Sequence, residues 1–503
     1  MRTRLRCLGL AWVLLAVFAR DGGAQGYRIR IDTRAQAVSY RGVLLDSVPI
    51  ADTVTGATGG TTTSSGFEAT CTPGVAYCTF FQPGPEEHAN PLTSTADLTL
   101  FGLGVRGLSV RTSARLGTAL GGDPWPGTDP PTQLLEGYAQ YARRYLTLQV
   151  GRQTVTSRLG FSTFDGGRVT VRAPSRGLEL TAYGGWGVWN GSILPVTSAA
   201  LNPLGDYRPP ERTITAGAGA AWTTRLLDLH WSYEREVDPS VDYFVSERTG
   251  IEGLLHVSRG LSLSGGADYD LAEGWWGSAE ATLAYTTPNG RINGSAGIRR
   301  YRPHFDLWTI WGAFAPVPYT AYDGSLTVSP TRRLQLHVDG EHYAYATANA
   351  ESPLVTVDTT GWRFSWDATY TVTRRWSVDG GYRAEFGPGA SSRGFQGSVT
   401  YAAGDRVALG IQGATLDRPL EFRYDESSTQ MFGVFAHCQP SSRLRVELDA
   451  SRYSENRQRP DPAAFDWDQL RVSARVVLMF SSGELAGLPP AVRRMPAGPE
   501  GDP

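Results

Sequence analysis

Apolar and polar positions alternate along most of the chain with a period of two, the spacing of a strand with one face in each of two media. Trp362, Phe364, Trp366, Ala368, Tyr370 and Val372 interleave with Arg363, Ser365, Asp367, Thr369 and Thr371. Leu444, Val446, Leu448 and Ala450 interleave with Arg443, Arg445, Glu447 and Asp449, and Leu470, Val472, Ala474 and Val476 with Arg471, Ser473 and Arg475. The same pattern runs through 106–117, 332–346 and 375–387. These runs span about ten residues, longer than the ~5–6 of a soluble strand.

The connections fall into two kinds. Short turns such as Val105-Arg106-Gly107, Pro174-Ser175-Arg176-Gly177, Thr373-Arg374-Arg375 and Pro440-Ser441-Ser442 alternate with long polar stretches at 43–92, 118–132, 190–211, 302–318, 347–357 and 455–464. Tight turns at one end and long loops at the other describe an up-and-down barrel that crosses a membrane. The expected fold is therefore all-β, a transmembrane up-and-down antiparallel barrel of about 22 strands (range about 20–24), with apolar side chains on lipid and charged ones on water. The strands are expected near 28–41, 93–104, 106–117, 133–143, 145–153, 167–174, 176–189, 211–224, 226–238, 242–258, 260–271, 274–287, 290–302, 318–329, 332–346, 358–373, 375–387, 393–404, 406–417, 424–439, 442–455 and 466–480. An even number leaves both ends on the periplasmic side.

Residues 1–24 read as a secretory signal: Arg2, Arg4 and Arg6, then an apolar run from Cys7 to Ala19, then Gly22-Gly23-Ala24. The expected organisation is signal peptide 1–24, barrel 25–480 and an unstructured periplasmic tail 481–503, with no soluble stretch before the first strand that would form a plug. Cys71 and Cys78 flank Pro73-Gly74, which reads as a local disulfide in an oxidising compartment; a zinc pair is the rival, with no nearby ligands to complete it.

Composition narrows the partners. Net charge is −2, and all 47 basic residues are arginine. That balance speaks against nucleic-acid binding through a basic face. Aromatics at 11% with 59 Gly and 31 Pro fit neither a coiled coil nor a disordered chain. The Gly102-Leu103-Gly104-Val105-Arg106-Gly107 run copies a dinucleotide fingerprint, but a period-two segment follows where a helix is required, so it reads as a hairpin turn. The seven histidines are scattered, with no His-Glu-x-x-His or Gly-x-Ser-x-Gly motif, so no enzyme activity, metal site or cofactor is expected.

The chain resembles Gram-negative outer-membrane barrels of the porin and export-channel type. The most specific piece is Leu148-Gln149-Val150-Gly151-Arg152-Gln153 followed by Phe164-Asp165-Gly166-Gly167. The resemblance implies a water-filled channel for passive or facilitated passage of small or oligomeric polar solutes, in contact with outer-membrane lipid, as a homo-oligomer or with a periplasmic partner. A barrel enzyme acting on lipid or polysaccharide, and a structural conduit, are the alternative readings.

Parity assigns Arg111, Arg115, Glu136, Arg168, Arg172, Arg333, Asp339, Glu341, Arg363, Asp367, Arg383, Glu385, Arg445, Glu447, Asp449, Arg471 and Arg475 to the lumen. Acids and arginines balance over the whole set of inward charges, which predicts no overall ion selectivity. Near-mirror register about the short turns sets Glu385 opposite Arg363 and Glu447 near Arg475. Residues 154–165, with Arg158 and Asp165, and residues 302–318, with Trp308 and Trp311, are the expected inward-folded segments that narrow the channel.

Overall fold

The computed structural model describes residues 24–482 except 56–59, 123–124, 126–127, 189–212, 238, 240–243, 303–317, 347–358, 388–390, 419–425 and 460–465. Among them 22 strands form one closed antiparallel barrel. The wall strands are β1 (Ala24–Pro49), β2 (Tyr77–Leu103), β3 (Leu108–Gly122), β4 (Thr132–Ala142), β5 (Leu146–Ser157), β6 (Gly160–Ala173), β7 (Leu178–Gly187) and β8 (Ile214–Thr223). They continue as β9 (Leu227–Val237), β10 (Phe244–His256), β11 (Leu261–Asp270), β12 (Trp275–Thr286), β13 (Ile292–Tyr301), β14 (Tyr319–Val328) and β15 (Leu334–Tyr345). The last are β16 (Thr360–Thr371), β17 (Trp376–Phe386), β18 (Ser392–Ala402), β19 (Val407–Arg418), β20 (Glu426–Ser441), β21 (Leu444–Arg459) and β22 (Trp467–Ser482).

Each strand pairs with its sequence neighbours, and β1 pairs with β22 from Tyr27↔Ser482 to Val38↔Arg471, which closes the ring and leaves the wall no free edge. Every strand expected from the alternation is present. Most of the differences lie at the ends that carry the long loops. β1 runs on to Pro49 and β2 begins at Tyr77, inside the stretch expected as a loop, and β5 and β6 continue to a two-residue turn at Arg158-Leu159. Residues 118–122 and 455–459 are likewise strand rather than loop, and β22 reaches Ser482. In each case the extra residues pair with an adjacent strand, which satisfies the backbone groups on that side.

The short turns collect at the end that holds Ala24 and Ser482. The Gly-rich run at 102–107 is one of them: Gly102, Gly104 and Gly107 have φ of 70°, 74° and 89°, left-handed values that a side chain would strain.

The two faces of the wall differ in chemistry. One carries the large apolar side chains in the open: Val150, Trp362, Phe395 and Phe432 are 60–67% exposed. Aromatics gather at both margins of this face, with Trp222, Tyr285, Tyr370 and Trp376 toward the short turns and Trp186, Tyr322, Trp362 and Phe386 toward the other end. From Trp376 to Phe386 along a strand tilted by ~40° the apolar band is about 25 Å tall, the height of the lipid-facing band of membrane barrels. The outward charges Arg393–Asp417 and Arg452–Asp468 lie beyond it, toward the upper rim.

The candidate channel interior

The opposite face is the enclosed one. Its inward direction is marked by the tip of the β5–β6 hairpin, which crosses four intervening strands to touch β11 and β12. Arg158, in the turn, is 8% exposed; its Nη1 donates to Glu280 Oε1 at 2.7 Å and its Nη2 to Ser278 Oγ at 3.0 Å, and Asp268 lies 3.7 Å from its Nε. Leu159 is buried beside it, and Ser162 hydrogen-bonds Glu234 on β9. The wall makes room with glycine. A Cβ at Gly250 would meet Leu159 Cδ2 at 3.0 Å, and one at Gly266 would meet the Arg158 guanidinium at 2.5 Å. The hairpin thus lies across a trough of small residues on the inner wall, held at its tip by a buried arginine between carboxylates.

The bend that sends the hairpin inward falls in the segment that carries the resemblance. Its two halves pair with each other: Gly151↔Gly166, Arg152↔Asp165 and Gln153↔Phe164. Gly166 also pairs with Gly185 on β7, and a Cβ at either would meet the other strand's backbone. Gly151 has φ of 130°. A row of glycines across three strands lets the sheet curl sharply here.

Register carries the enclosed face around the ring. Glu341, Arg363 and Glu385 are directly opposite one another on β15, β16 and β17. Arg363 bonds Glu341 and Glu385, both at 2.8 Å, and Arg299 on β13 also reaches Glu341. Tyr343 donates to Glu385 at 3.2 Å under the stacked Arg363, 4.6 Å from its ring centre. Across the closing seam Arg475 of β22 donates to both oxygens of Asp32 on β1, at 2.9 and 2.7 Å, and reaches Glu447 on β21 at 3.3 Å, which also holds Arg445 at 2.6 Å. Arg111 pairs with Glu136 at 3.1 Å and Arg172 with Glu179 at 2.6 Å. Arg168 lies opposite Gln149 and Tyr183, Arg115 opposite Thr95 and Gln133, and Arg383 opposite Ser365. Arg471 stacks over Tyr453 at 5.7 Å.

Four acids of this face hydrogen-bond to neutral groups. Ser365 donates to Asp339, Gln396 to Asp367 at 3.4 Å, Thr369 to Asp379 at 2.8 Å, and Gln412 to Asp449 at 3.2 Å. Ring order also separates the signs. β14–β17 present Asp323, Asp339, Glu341, Asp367, Asp379 and Glu385 against Arg363 and Arg383. β22 and β1–β6 present Arg471, Arg475, Arg28, Arg30, Arg34, Arg111, Arg115, Arg168 and Arg172 against Asp32, Asp97 and Glu136. A balanced sum therefore conceals an acid-rich wall and an arginine-rich wall.

Two of the expected residues lie elsewhere. Arg333 is exposed in the short turn before β15. Asp165 alternates with the inward Phe164 and Gly166 and is held on the hairpin's other face by Arg152, at 2.7 and 2.8 Å, so it does not share the enclosed face. Trp308 and Trp311 lie outside the described residues. Cys71 and Cys78 are disulfide-bonded, Cα–Cα 4.2 Å. Among the described residues no group of three His, Cys, Asp or Glu side chains is placed to hold a metal. His342 faces outward, its Nδ1 3.1 Å from Gly361 O and its ring 4.4 Å from that of Trp362.

Sequence reasoning missed the partners of Arg158 and the Asp32–Arg475 bond, which join residues 122 and 443 apart. The one signal available for the first was glycine at Gly250 and Gly266, inward positions where neighbouring strands carry bulky polar groups.

No protein-family profile and no curated protein matches the chain. Among solved structures, the chain is similar to the copper transporter OprC (12% identity, 90% of this chain and 80% of that one, TM-score 0.48). It is also similar to the ferric enterobactin receptor PfeA of Pseudomonas aeruginosa (10%, 91% and 81%, TM-score 0.47) and to OprD of the same organism (11%, 92% and 96%, TM-score 0.38). Likenesses this distant carry no argument about function.

Proposed function

We propose that this chain is an outer-membrane channel, exported by residues 1–24, through which polar solutes diffuse along a hydrated lumen. The observation that carries the reading is the division of the wall: an exposed apolar band with aromatic margins outside, and an ion-paired polar lining within. A dry interior would not leave so many carboxylates and guanidiniums facing one another across a ring of this size.

Ring size makes a constriction necessary for any selectivity. Twenty-two strands spaced ~4.8 Å apart and tilted by ~40° enclose a ring about 44 Å across between backbones. The β5–β6 hairpin narrows that space from one side and sets Arg158 against Asp268 and Glu280 on β11 and β12. A solute that carries both charges has complementary walls on either side of its path.

The test is single-channel recording in planar bilayers with the purified, folded protein. Stepwise conductance is expected; a folded barrel that passes no current, even with the hairpin released by Arg158→Ala, overturns the reading.

A further inference from the structure

The wall is complete by Val38 on β1 and Ala89 on β2, the last residues to pair with β22 and β3. Beyond them the two strands continue together, pairing from Ser39↔His88 to Pro49↔Tyr77, as a two-stranded arm. At ~3.3 Å per residue this adds about 35 Å of ribbon on the side of the long loops. Its tip is an ordered knob: Thr53–Thr55 pairs with Thr61–Thr63, Ala69–Cys71 pairs with the start of β2, Phe67 stacks on Phe80, and Cys78 and Ala69 are buried around the disulfide.

The arm holds its shape yet leaves apolar groups in water. Leu45 and Phe81 are directly opposite each other and 64% and 58% exposed, and Tyr77, on the same face, is 54% exposed. Ser39 Oγ still accepts from Leu470 N, and the Arg41 guanidinium donates to Asp466 O, both on the neighbouring segment. Beyond them, to Pro49, β1 has β2 as its only strand partner among the described residues, so alternate backbone N–H and C=O groups along this edge are open to another strand. Charge supplies the third feature. Residues 41–88 hold Asp46, Asp52, Glu68, Glu86 and Glu87 against Arg41. Asp46 lies on the face opposite Leu45, so a strand added beside β1 would set one set of side chains on Leu45 and the alternate set near Asp46.

We infer that the arm is a docking edge for an extended cationic polypeptide, which adds a strand beside residues 41–49 with apolar side chains on the Leu45–Phe81 face and basic ones toward the acids. A second copy of this chain is disfavoured because two arms of like charge would repel. The inference is independent of the transport reading.

The test uses the full chain folded in detergent and fluorescent ten-residue synthetic peptides. A peptide alternating valine and arginine is expected to bind. The same peptide N-methylated on alternate amides, which cannot extend a sheet, is expected to bind at least tenfold more weakly, and a valine–glutamate peptide to show no binding. The double substitution Leu45→Glu, Phe81→Glu is expected to weaken binding at least tenfold while the heat-modified gel mobility of the barrel is unchanged. Equal binding of the methylated peptide, or unchanged binding by the double variant, overturns the proposal. So does sedimentation of the wild type as a dimer that the double variant abolishes, which would assign the edge to a second copy.

Discussion

Arg158 and Glu280 are 122 residues apart in sequence and 2.7 Å apart in space, and this bond fixes the hairpin tip to the far side of a trough of small residues. With Ser278 and Asp268 completing its surroundings, the guanidinium has little freedom to leave. Arg158→Ala removes the anchor and leaves two carboxylates facing each other across the vacated site. The expected outcome in bilayers is a larger single-channel conductance with more frequent current fluctuation. Arg158→Lys, which keeps the charge but loses the planar fork, is expected to fall between the two.

The same release should follow from filling the seat without touching any charge. A Cβ at Gly250 would already stand 3.0 Å from Leu159, so Gly250→Leu forces the tip away from the wall. Conductance is expected to rise as for Arg158→Ala, while the unchanged acids keep ion selectivity near that of the wild type. Comparing the two variants in asymmetric salt separates steric from electrostatic control of the constriction.

The seam offers a stability prediction. Arg475→Ala deletes two charge-assisted hydrogen bonds to Asp32 on a partly exposed site, and leaves Glu447 held only by Arg445 among the partners described above. A loss of about 1–2 kcal/mol is expected, read as a lower urea midpoint in lipid vesicles. Arg393→Ala, whose pair with Asp417 is far more exposed, is expected to change stability by less than about 0.5 kcal/mol.

Reduction of Cys71–Cys78 should affect the arm alone. The bridge lies in the knob, outside the part of β2 that pairs with β3. Thiol treatment is expected to speed protease cleavage near residues 67–77 and to leave the folded-barrel gel mobility intact.

How much of this was legible in the chain follows from how local each feature is. Alternation reports two different media on the two sides of a strand, so Trp366 and Asp367 announce both the strand and its faces without any partner in view. Register about a tight turn is nearly as local, which is why Arg363 opposite Glu385 follows from the turn at Arg374-Arg375. The arm and the β5–β6 extension were illegible as strands because Pro83 and Pro85 interrupt the first and the Thr- and Ser-rich stretch at 154–163 sustains no alternation. The arm sits beyond the lipid band and the hairpin lies inside the barrel, so lipid imposes alternation on neither. The segregation of charge was hidden for another reason: a sum over the chain discards ring order, and order exists only once β1 meets β22.

The most direct test of the account is depth- and face-resolved labelling of one strand. Single cysteines at Phe364, Ser365, Trp366 and Asp367, each in a Cys438→Ser background, would carry a fluorophore in reconstituted vesicles. Labels at 364 and 366 are predicted to be quenched by brominated lipid and shielded from iodide, and those at 365 and 367 to show the reverse. If iodide reaches positions 364 and 366 and lipid bromine reaches 365 and 367, the wall faces the other way and the channel reading falls with it.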